Sequence, residues 1–384
     1  MFSTRTQWNL SSNRLARALE GVRSRGCELL DLTASNPTEC GFQYDGSSIL
    51  KALITPAVLK YYPDPRGLRP ARVAVQEYYE RRNERVSVDD LILTISTSEA
   101  YSFVFRLLCN PGDEVLVPTP SYPLFEFLAD IQDVKLVRYP LVYDHGWQID
   151  FHALEAAATS RTRAVIVVNP NNPTGHFTKA EEIDRLNQIC SARDLAIIAD
   201  EVFLDFSLNS GNHSSFSQND LSLTFTMSGI SKISGLPQMK FSWLAVSGPT
   251  RERAEALARL EVIADTFLSM NAAIQAAAPT LLAQRHGLQQ QLMARVRSNL
   301  AELDRQLSDQ KVCTRLEIEG GWYAVIRVPA IRSDEELALE LLEEGVYLHP
   351  GHFYDFPAEG YLVVSLITRE RPFAEGIEKL LAHF

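Results

Sequence analysis

A lysine set among small and apolar residues is the most suggestive piece of chemistry in this chain. It lies in Ser228-Gly229-Ile230-Ser231-Lys232-Ile233-Ser234-Gly235-Leu236, and a second basic residue, Lys240, follows eight positions later. A surface ammonium fits such surroundings poorly, whereas an amine that must attack a carbonyl group is activated by losing its water. Two segments upstream could face it. Val168-Asn169-Pro170-Asn171-Asn172-Pro173-Thr174-Gly175 follows the apolar run Ala164 to Val168, and Ala199-Asp200-Glu201-Val202-Phe203 closes the next one. Taken alone, the first is a turn rich in Asn, Pro and Gly, and Asp200 is a cap at a strand end. Ligands of open α/β sheets sit at the carboxyl ends of the strands, so an amide, a carboxylate and an amine could meet there.

The elements needed to hold these groups are legible. Helical spacing runs through Leu15 to Val22, Ala71 to Tyr79 and Phe103 to Leu108. Short apolar strands then alternate with amphipathic helices: Glu114 to Val117, Lys135 to Tyr139, Ala164 to Val168, Ala196 to Ala199, Leu223 to Met227 and Trp243 to Val246. Continuous apolar runs of this length suit strands covered on both faces, and so a mainly parallel sheet between helices. Thr250 to Leu307 reads as long helices. Val312 to Ile318, Tyr323 to Val328 and Tyr361 to Ile367 read as strands, and Asp334 to Glu344 and Phe373 to Phe384 as helices, forming a second α/β unit. A loop rich in Ser, Asn and Gly is expected at Ser207 to Asp220.

The bulk numbers exclude several classes. The 384 residues are 46% hydrophobic and suffice for two cores, while the formal net charge of −11 opposes binding to a phosphate backbone. No run approaches the roughly 20 apolar residues of a membrane span. The N-terminus lacks the apolar core of a secretory signal, and the five cysteines stand singly, without zinc or disulfide spacing, so the expected location is the cytoplasm. GxGxxG after a strand, GxxxxGK[ST], HExxH and GxSxG are all missing, which removes nicotinamide, P-loop, zincin and serine-hydrolase readings. His349 and His352 have no third ligand near them in sequence and read as a tight turn.

In this order the three segments resemble the class I/II aminotransferases, enzymes of fold type I that use pyridoxal 5′-phosphate (PLP), and the resemblance extends over essentially the whole chain. It implies a large PLP-binding domain of mainly parallel, seven-stranded type at 44–264, and a small α/β domain with connecting helices from 1–43 and 265–384. By the same resemblance Lys232 carries the cofactor as an imine and moves the α-proton, while Asp200 pairs with the pyridinium nitrogen and keeps the ring an electron sink. Asn172 hydrogen-bonds the ring hydroxyl O3′, Tyr122 stacks on the ring, and Ser231 and Lys240 reach the phosphate together with Ser96, Thr97 and Ser98. Ser96 and Glu99 also have capping-box spacing, and a capped helix start is itself an anion site. Tyr62, in Tyr61-Tyr62-Pro63, matches a residue lent to the neighbouring subunit's phosphate, which implies a homodimer. Ser35 falls in the loop facing the substrate carboxylate.

Three positions depart from the family pattern. Phe203 stands where a Tyr usually donates to O3′. Lys240 replaces an Arg and offers a point charge without the bidentate fork. Val363 occupies the position of the Arg that grips the substrate carboxylate, leaving Arg369, Arg327 or an amine substrate without a carboxylate as alternatives. The implied reaction is ping-pong transfer of an amino group from an amino acid or amine to a 2-oxo acid. A PLP-dependent lyase, decarboxylase or synthase is the rival on the same fold. A non-catalytic regulator is opposed by the joint presence of Lys232, Asp200 and Asn172 and by the absence of room for a DNA-binding module.

Overall fold

The structure, a computed structural model, describes residues 1–123, 125–209 and 213–384. Part of the loop expected at 207–220 therefore lies outside the described residues. The strands in chain order are β1 Leu30–Asp31, β2 Leu91–Thr94, β3 Glu114–Thr119, β4 Lys135–Tyr143, β5 Trp147–Ile149, β6 Thr162–Val168 and β7 Ala196–Asp200. They continue as β8 Thr224–Gly229, β9 Ser242–Ser247, β10 Thr314–Arg315, β11 Tyr323–Arg327, β12 Val346–Tyr347, β13 His349–Pro350 and β14 Tyr361–Ser365.

Eight of them form the large sheet, in the order β2-β9-β8-β7-β6-β3-β4-β5. The run β8-β7-β6-β3-β4 is parallel, and antiparallel pairs close both ends. The eighth strand, β5, is a short hairpin partner of β4 that the sequence pattern did not announce. Alternation along β6 shows why the run is apolar throughout: Ala164, Ile166 and Val168 join one core cluster and Val165 and Val167 the other, so both faces are roofed by helices. Every parallel strand of the run points its carboxyl end to the same edge, which brings the ends of β6 and β7 together. Val168 stands opposite Asp200, and Asp200 opposite Met227 of β8.

The second sheet is antiparallel, in the order β10-β11-β14-β13, and β1 pairs with β12 beside it. Most expected elements are present with boundaries moved by a few residues. The exception is the strand expected at Val312 to Ile318, of which only Thr314–Arg315 is paired. The chain beyond it leaves the small sheet and bonds to the large one: the N–H groups of Glu319 and Gly320 donate to the Gly175 carbonyl, at 3.3 and 3.1 Å, and Gly321 N–H to Phe206 at 2.8 Å. Thr250 to Leu307 resolves into three helices, Thr250–Phe267, Ala272–Ala283 and Arg285–Ser308.

Candidate active site

Lys232 projects from a single helical turn, Ile230–Ile233, directly after β8. The crossover from strand to turn at Gly229 is tight. A Cβ there would fall 2.3 Å from Ser242 Oγ, so only glycine lets β8 and β9 close at this point. The Lys232 amine lies 5.0 Å from the Trp322 ring centre and 5.5 Å from that of Phe203. Burial lowers its pKa to about 8, against the opposing pull of Asp200. A buried cation–π contact is worth about 2 kcal/mol, so the two rings only partly offset the lost hydration.

Asp200 ends β7 at the same edge. Burial raises its pKa to about 6 despite hydrogen bonds from Val202 N–H to Oδ1 and from Tyr101 hydroxyl to Oδ2, both at 3.2 Å. Burial thus pushes both groups toward their neutral forms, while each one's charge favours the charge of the other. The sequence reading did not single out Tyr101 or Trp322. Tyr101 sits in a helix whose spacing reads as plain core, and Trp322 follows segment 319–321, which swings out from the small sheet.

The loop after β6 presents Asn172. Its neighbour Asn171 is tied down, donating through Nδ2 to the Pro120 carbonyl at 3.0 Å and to Thr174 Oγ1 at 2.9 Å. Asn172 Oδ1 is buried and has no partner, and the same is true of Asn171 Oδ1, Ser121 Oγ and Thr226 Oγ1. Unpaired buried polar atoms cost about 1–3 kcal/mol each, and four of them in β8 and the segments after β3 and β6 fit a site shaped for a polar ligand. A PLP ring, with a hydroxyl for the amide or hydroxyl oxygens and a pyridinium for Asp200, matches that polar set. Tyr122, which would stack on the ring, is 45% exposed, and its hydroxyl is pushed up by burial and by Asp200.

Ser96 caps the helix Thr97–Leu108, its Oγ accepting from Glu99 N–H at 3.1 Å. Glu99 reaches back to Ile95 N–H at 2.9 Å rather than to Ser96 itself. The Ser96 hydroxyl is thus engaged, and the amides of Thr97 and Ser98 are the orphan donors of the helix start. Ser231 is half-buried next to Lys232, and Lys240 is exposed in a left-handed turn with φ of 50°. Tyr62 is 67% exposed and lies away from the chain's own lysine, in a surface cavity of about 520 Å³ shared with Leu59, Tyr61, Leu268 and Met270.

The family profile for aminotransferases of class I and II matches residues 44–371. The chain belongs to this family. Among curated proteins it is 28% identical over 377 residues to the glutamate-pyruvate aminotransferase AlaA of Escherichia coli (strain K12), covering 94% of this chain and 91% of that one. It is also 28% identical over 372 residues to the alanine aminotransferase of Mycobacterium tuberculosis (strain ATCC 25618 / H37Rv), covering 94% and 86%. An aminotransferase from Escherichia coli superposes with a TM-score of 0.88 at 25% identity, over 100% of this chain and 97% of that one. The alanine aminotransferase of Pyrococcus furiosus shares the fold, with a TM-score of 0.90 at 22% identity over 100% and 99%. The protein is therefore a PLP-dependent aminotransferase of fold type I, and these relatives lend nothing to a lyase or synthase reading.

From the sequence, the substrate side is expected to depart from the family pattern at Val363. Val363 is 1% exposed and paired across β14 with Val325 and His349. Burial lowers His349 to about 4 despite Asp31, and its Nδ1 lies 3.2 Å from the Tyr354 hydroxyl, so it is neutral. No cation stands at this point of the sheet. Arg327 ends β11, four residues beyond Tyr323 and exposed, which is about 13 Å along a strand. Arg369 is placed differently. The chain turns after β14 so that Arg369 caps the helix Glu370–Leu381, and it lines a cavity of about 370 Å³ with Ser35, Asn36 and Cys40. A Cβ on Gly41 would lie 3.4 Å from Arg369 Nε, so the guanidinium lies along this glycine.

Proposed function

We propose that this aminotransferase carries PLP on Lys232 and transfers the amino group of an α-amino acid to a 2-oxo acid, with Asp200 at the pyridinium nitrogen and Asn172 at O3′. The observation that supports the reading is that a desolvated amine, a buried carboxylate whose charge it feels and the Asn172 loop stand at the ends of three adjoining strands. When bound, PLP supplies an electron sink for the pair of electrons left at the substrate α-carbon as its proton departs. The protein does the rest. Lys232, titrating near 8, is poised to take and return that proton near neutral pH. Asp200 holds a proton on the ring nitrogen by charge. Trp322, Phe203 and the buried strand ends exclude water. Ser96, Thr97, Ser98, Ser231 and Lys240 are the phosphate set, and Phe203 is the apolar neighbour of O3′.

For the substrate carboxylate we assign Arg369 with the Ser35 loop, because the turn after Ile367 places both on one cavity. Alanine, glutamate and pyruvate are the substrates that the names of the relatives bring forward. The proposed large unit is 44–264 and the small one 1–43 with 265–384, in keeping with the two sheets and with the pairing of β1 to β12. No helix among the described residues is long and apolar enough to cross a membrane, and the free cysteines suit the cytoplasm we propose.

The partner we propose is a second copy. Leu50, Ile54, Leu59, Tyr61, Tyr62, Val262 and Phe267 are all exposed, and seven large apolar side chains spread over two neighbouring segments form a surface that a copy would cover. Tyr62 would then serve the partner's phosphate site. Mixing inactive Tyr62 and Lys232 variants should restore activity in hybrid dimers, and no recovery from hybrids that demonstrably form would make each subunit self-sufficient. The test of the site as a whole is borohydride reduction of the loaded enzyme followed by peptide mapping. Label on Lys232 is expected, and label on Lys240 with Lys232 clean would reverse the assignment.

A further inference from the structure

A charge cluster, buried at His176 and Glu182 and half-exposed at Lys179 and Glu319, joins the two segments that we assign as walls of the Lys232 pocket. His176 is 2% exposed. Its Nε2 lies 3.0 Å from Glu182 Oε2 and its Nδ1 3.7 Å from Glu319 Oε2, both off the line of an ideal hydrogen bond. Glu182, in the helix Ala180–Arg193, also accepts from the N–H groups of Lys179 and Ile149, each at 2.8 Å. Glu319, from the segment between β10 and β11, accepts from Phe177 N–H at 3.0 Å and pairs with the Lys179 ammonium. With His176 protonated, two cations meet two carboxylates. The remaining titratable neighbours are His213, stacked on Phe177 with ring centres 3.5 Å apart, and Tyr139, whose phenol is raised by burial and by Glu182.

Each side of the cluster leads to the amine. The His176 carbonyl accepts from Asn171 N–H at 2.8 Å, and its own N–H reaches Thr174 Oγ1 at 3.3 Å, closing the loop that presents Asn172. Three residues beyond Glu319 comes Trp322, whose ring centre is 5.0 Å from the Lys232 amine. We propose that His176 is a positioning residue: seated between Glu182 and Glu319, it fixes loop 169–176 against segment 316–322 and so sets the spacing between the Asn172 wall and the Trp322 wall of the cofactor pocket. The inference rests on the assignment of that pocket to Lys232 and Asn172.

The sign of its pH dependence follows from the neighbours. Burial pulls the His176 pKa down, but Glu182 and Glu319 outweigh it and the net direction is upward from 6.5. A raised histidine stabilises the folded state fully below its unfolded pKa and loses that contribution as pH rises through the folded value. The carboxylates act oppositely. Burial works against Glu319, yet His176 and Lys179 bring it to about 2, and Glu182 is lowered mainly by His176 against its own burial. The clamp therefore holds from acid pH to above 6.5 and opens in alkali, where one negative charge is left over inside it.

The experiment compares PLP-loaded wild type, His176→Gln and Glu319→Gln from about pH 6 to about pH 9.5, following visible circular dichroism of the bound cofactor, its retention, kcat and KM. The wild type should lose roughly half or more of its visible ellipticity across the alkaline step while keeping its cofactor, with kcat falling and KM nearly constant. His176→Gln should already show the reduced ellipticity and kcat at about pH 6, with only the cofactor's own titration left to move them, and Glu319→Gln should show a smaller reduction there. Wild-type ellipticity, kcat and pH profile in His176→Gln would overturn the proposal. Should that variant not fold, Glu319→Gln, which leaves the His176–Glu182 pair intact, carries the same comparison. Cofactor absent from Lys232 in the wild type overturns the pocket assignment and this inference together, whereas cofactor on Lys232 with unmoved variants overturns the clamp alone.

Discussion

The two sides of the cleft are built by different rules. On the cofactor side, Asn172, Asp200 and Lys232 each follow a buried strand of one sheet, so the register that pairs Val168 with Asp200 and Asp200 with Met227 brings them together without long-range invention. On the substrate side, Ser35, Arg369 and Val363 come from a loop, a helix cap and a strand in a different sheet, and their meeting depends on one turn after Ile367. Strand ends hold position through the rigidity of the sheet. A turn can be re-aimed by a few substitutions, and in the assignment we propose the carboxylate arginine stands six positions along the chain from Val363, at Arg369.

The contrast is broken most severely at Lys232. Replacing it with Met should reduce transamination by about 10³-fold or more, because both proton transfer and covalent attachment are lost. The cofactor-free protein should at the same time become more stable. Burial holds the Lys232 pKa at about 8 rather than 10.5, so below about 8 the folded state carries the full penalty of a buried ammonium, which fades as pH rises toward 10.5. Thermal melts of the cofactor-free proteins at about pH 7 and about pH 10 check this: the Tm gain of Lys232→Met should be larger at the lower pH. Equal gains would mean that water reaches the amine.

Arg369→Ala probes the re-aimed side. Hydrogen bonds to charged groups are worth about 1.5–3 kcal/mol, so KM for α-amino acids should rise about 10- to 100-fold with kcat little changed. Arg327→Ala should do nothing measurable. Amino-acid turnover undiminished in both variants would leave the Ser35 amide as the anchor, and turnover of terminal amines alone would sink the amino-acid reading.

The asymmetry also explains what could be read from the chain. The segments proposed to hold the cofactor were easy to single out because Asn172, Asp200 and Lys232 each sit in a contiguous motif at the end of a buried strand. The large sheet was legible because runs such as Ala164 to Val168 are apolar on both faces. Trp322 was hidden, since nothing local says that segment 319–321, between the small-sheet contacts of Leu316 and Trp322, swings out to bond Gly175 and Phe206. His176 carried a faint signal, a histidine directly after the glycine turn and six residues before a glutamate in the first turn of a helix. Its partner Glu319 is supplied from far along the chain. The two-residue strands β1, β12 and β13 left no periodicity at all.

Phe203→Tyr is the mildest test, and it stays on the cofactor side. Phe203 is 3% exposed and meets Trp322 and Tyr323 edge-on, with ring centres 5.2 and 6.3 Å away. Its ring centre is 5.5 Å from the Lys232 amine, near enough for an added hydroxyl to reach the cofactor's O3′ if it points inward. A donor there favours the ionised oxygen, which in turn holds the neighbouring proton less tightly. The visible-band titration of the loaded enzyme should therefore move down by up to ~1 unit, with kcat changed only several-fold. An unmoved or raised titration in a variant that melts like the wild type would place the hydroxyl elsewhere and leave Asn172 as the sole donor. A lowered melting point with no spectral shift would show that the aromatic cluster around Trp322 rejects the oxygen, and that this corner of the pocket is built for packing.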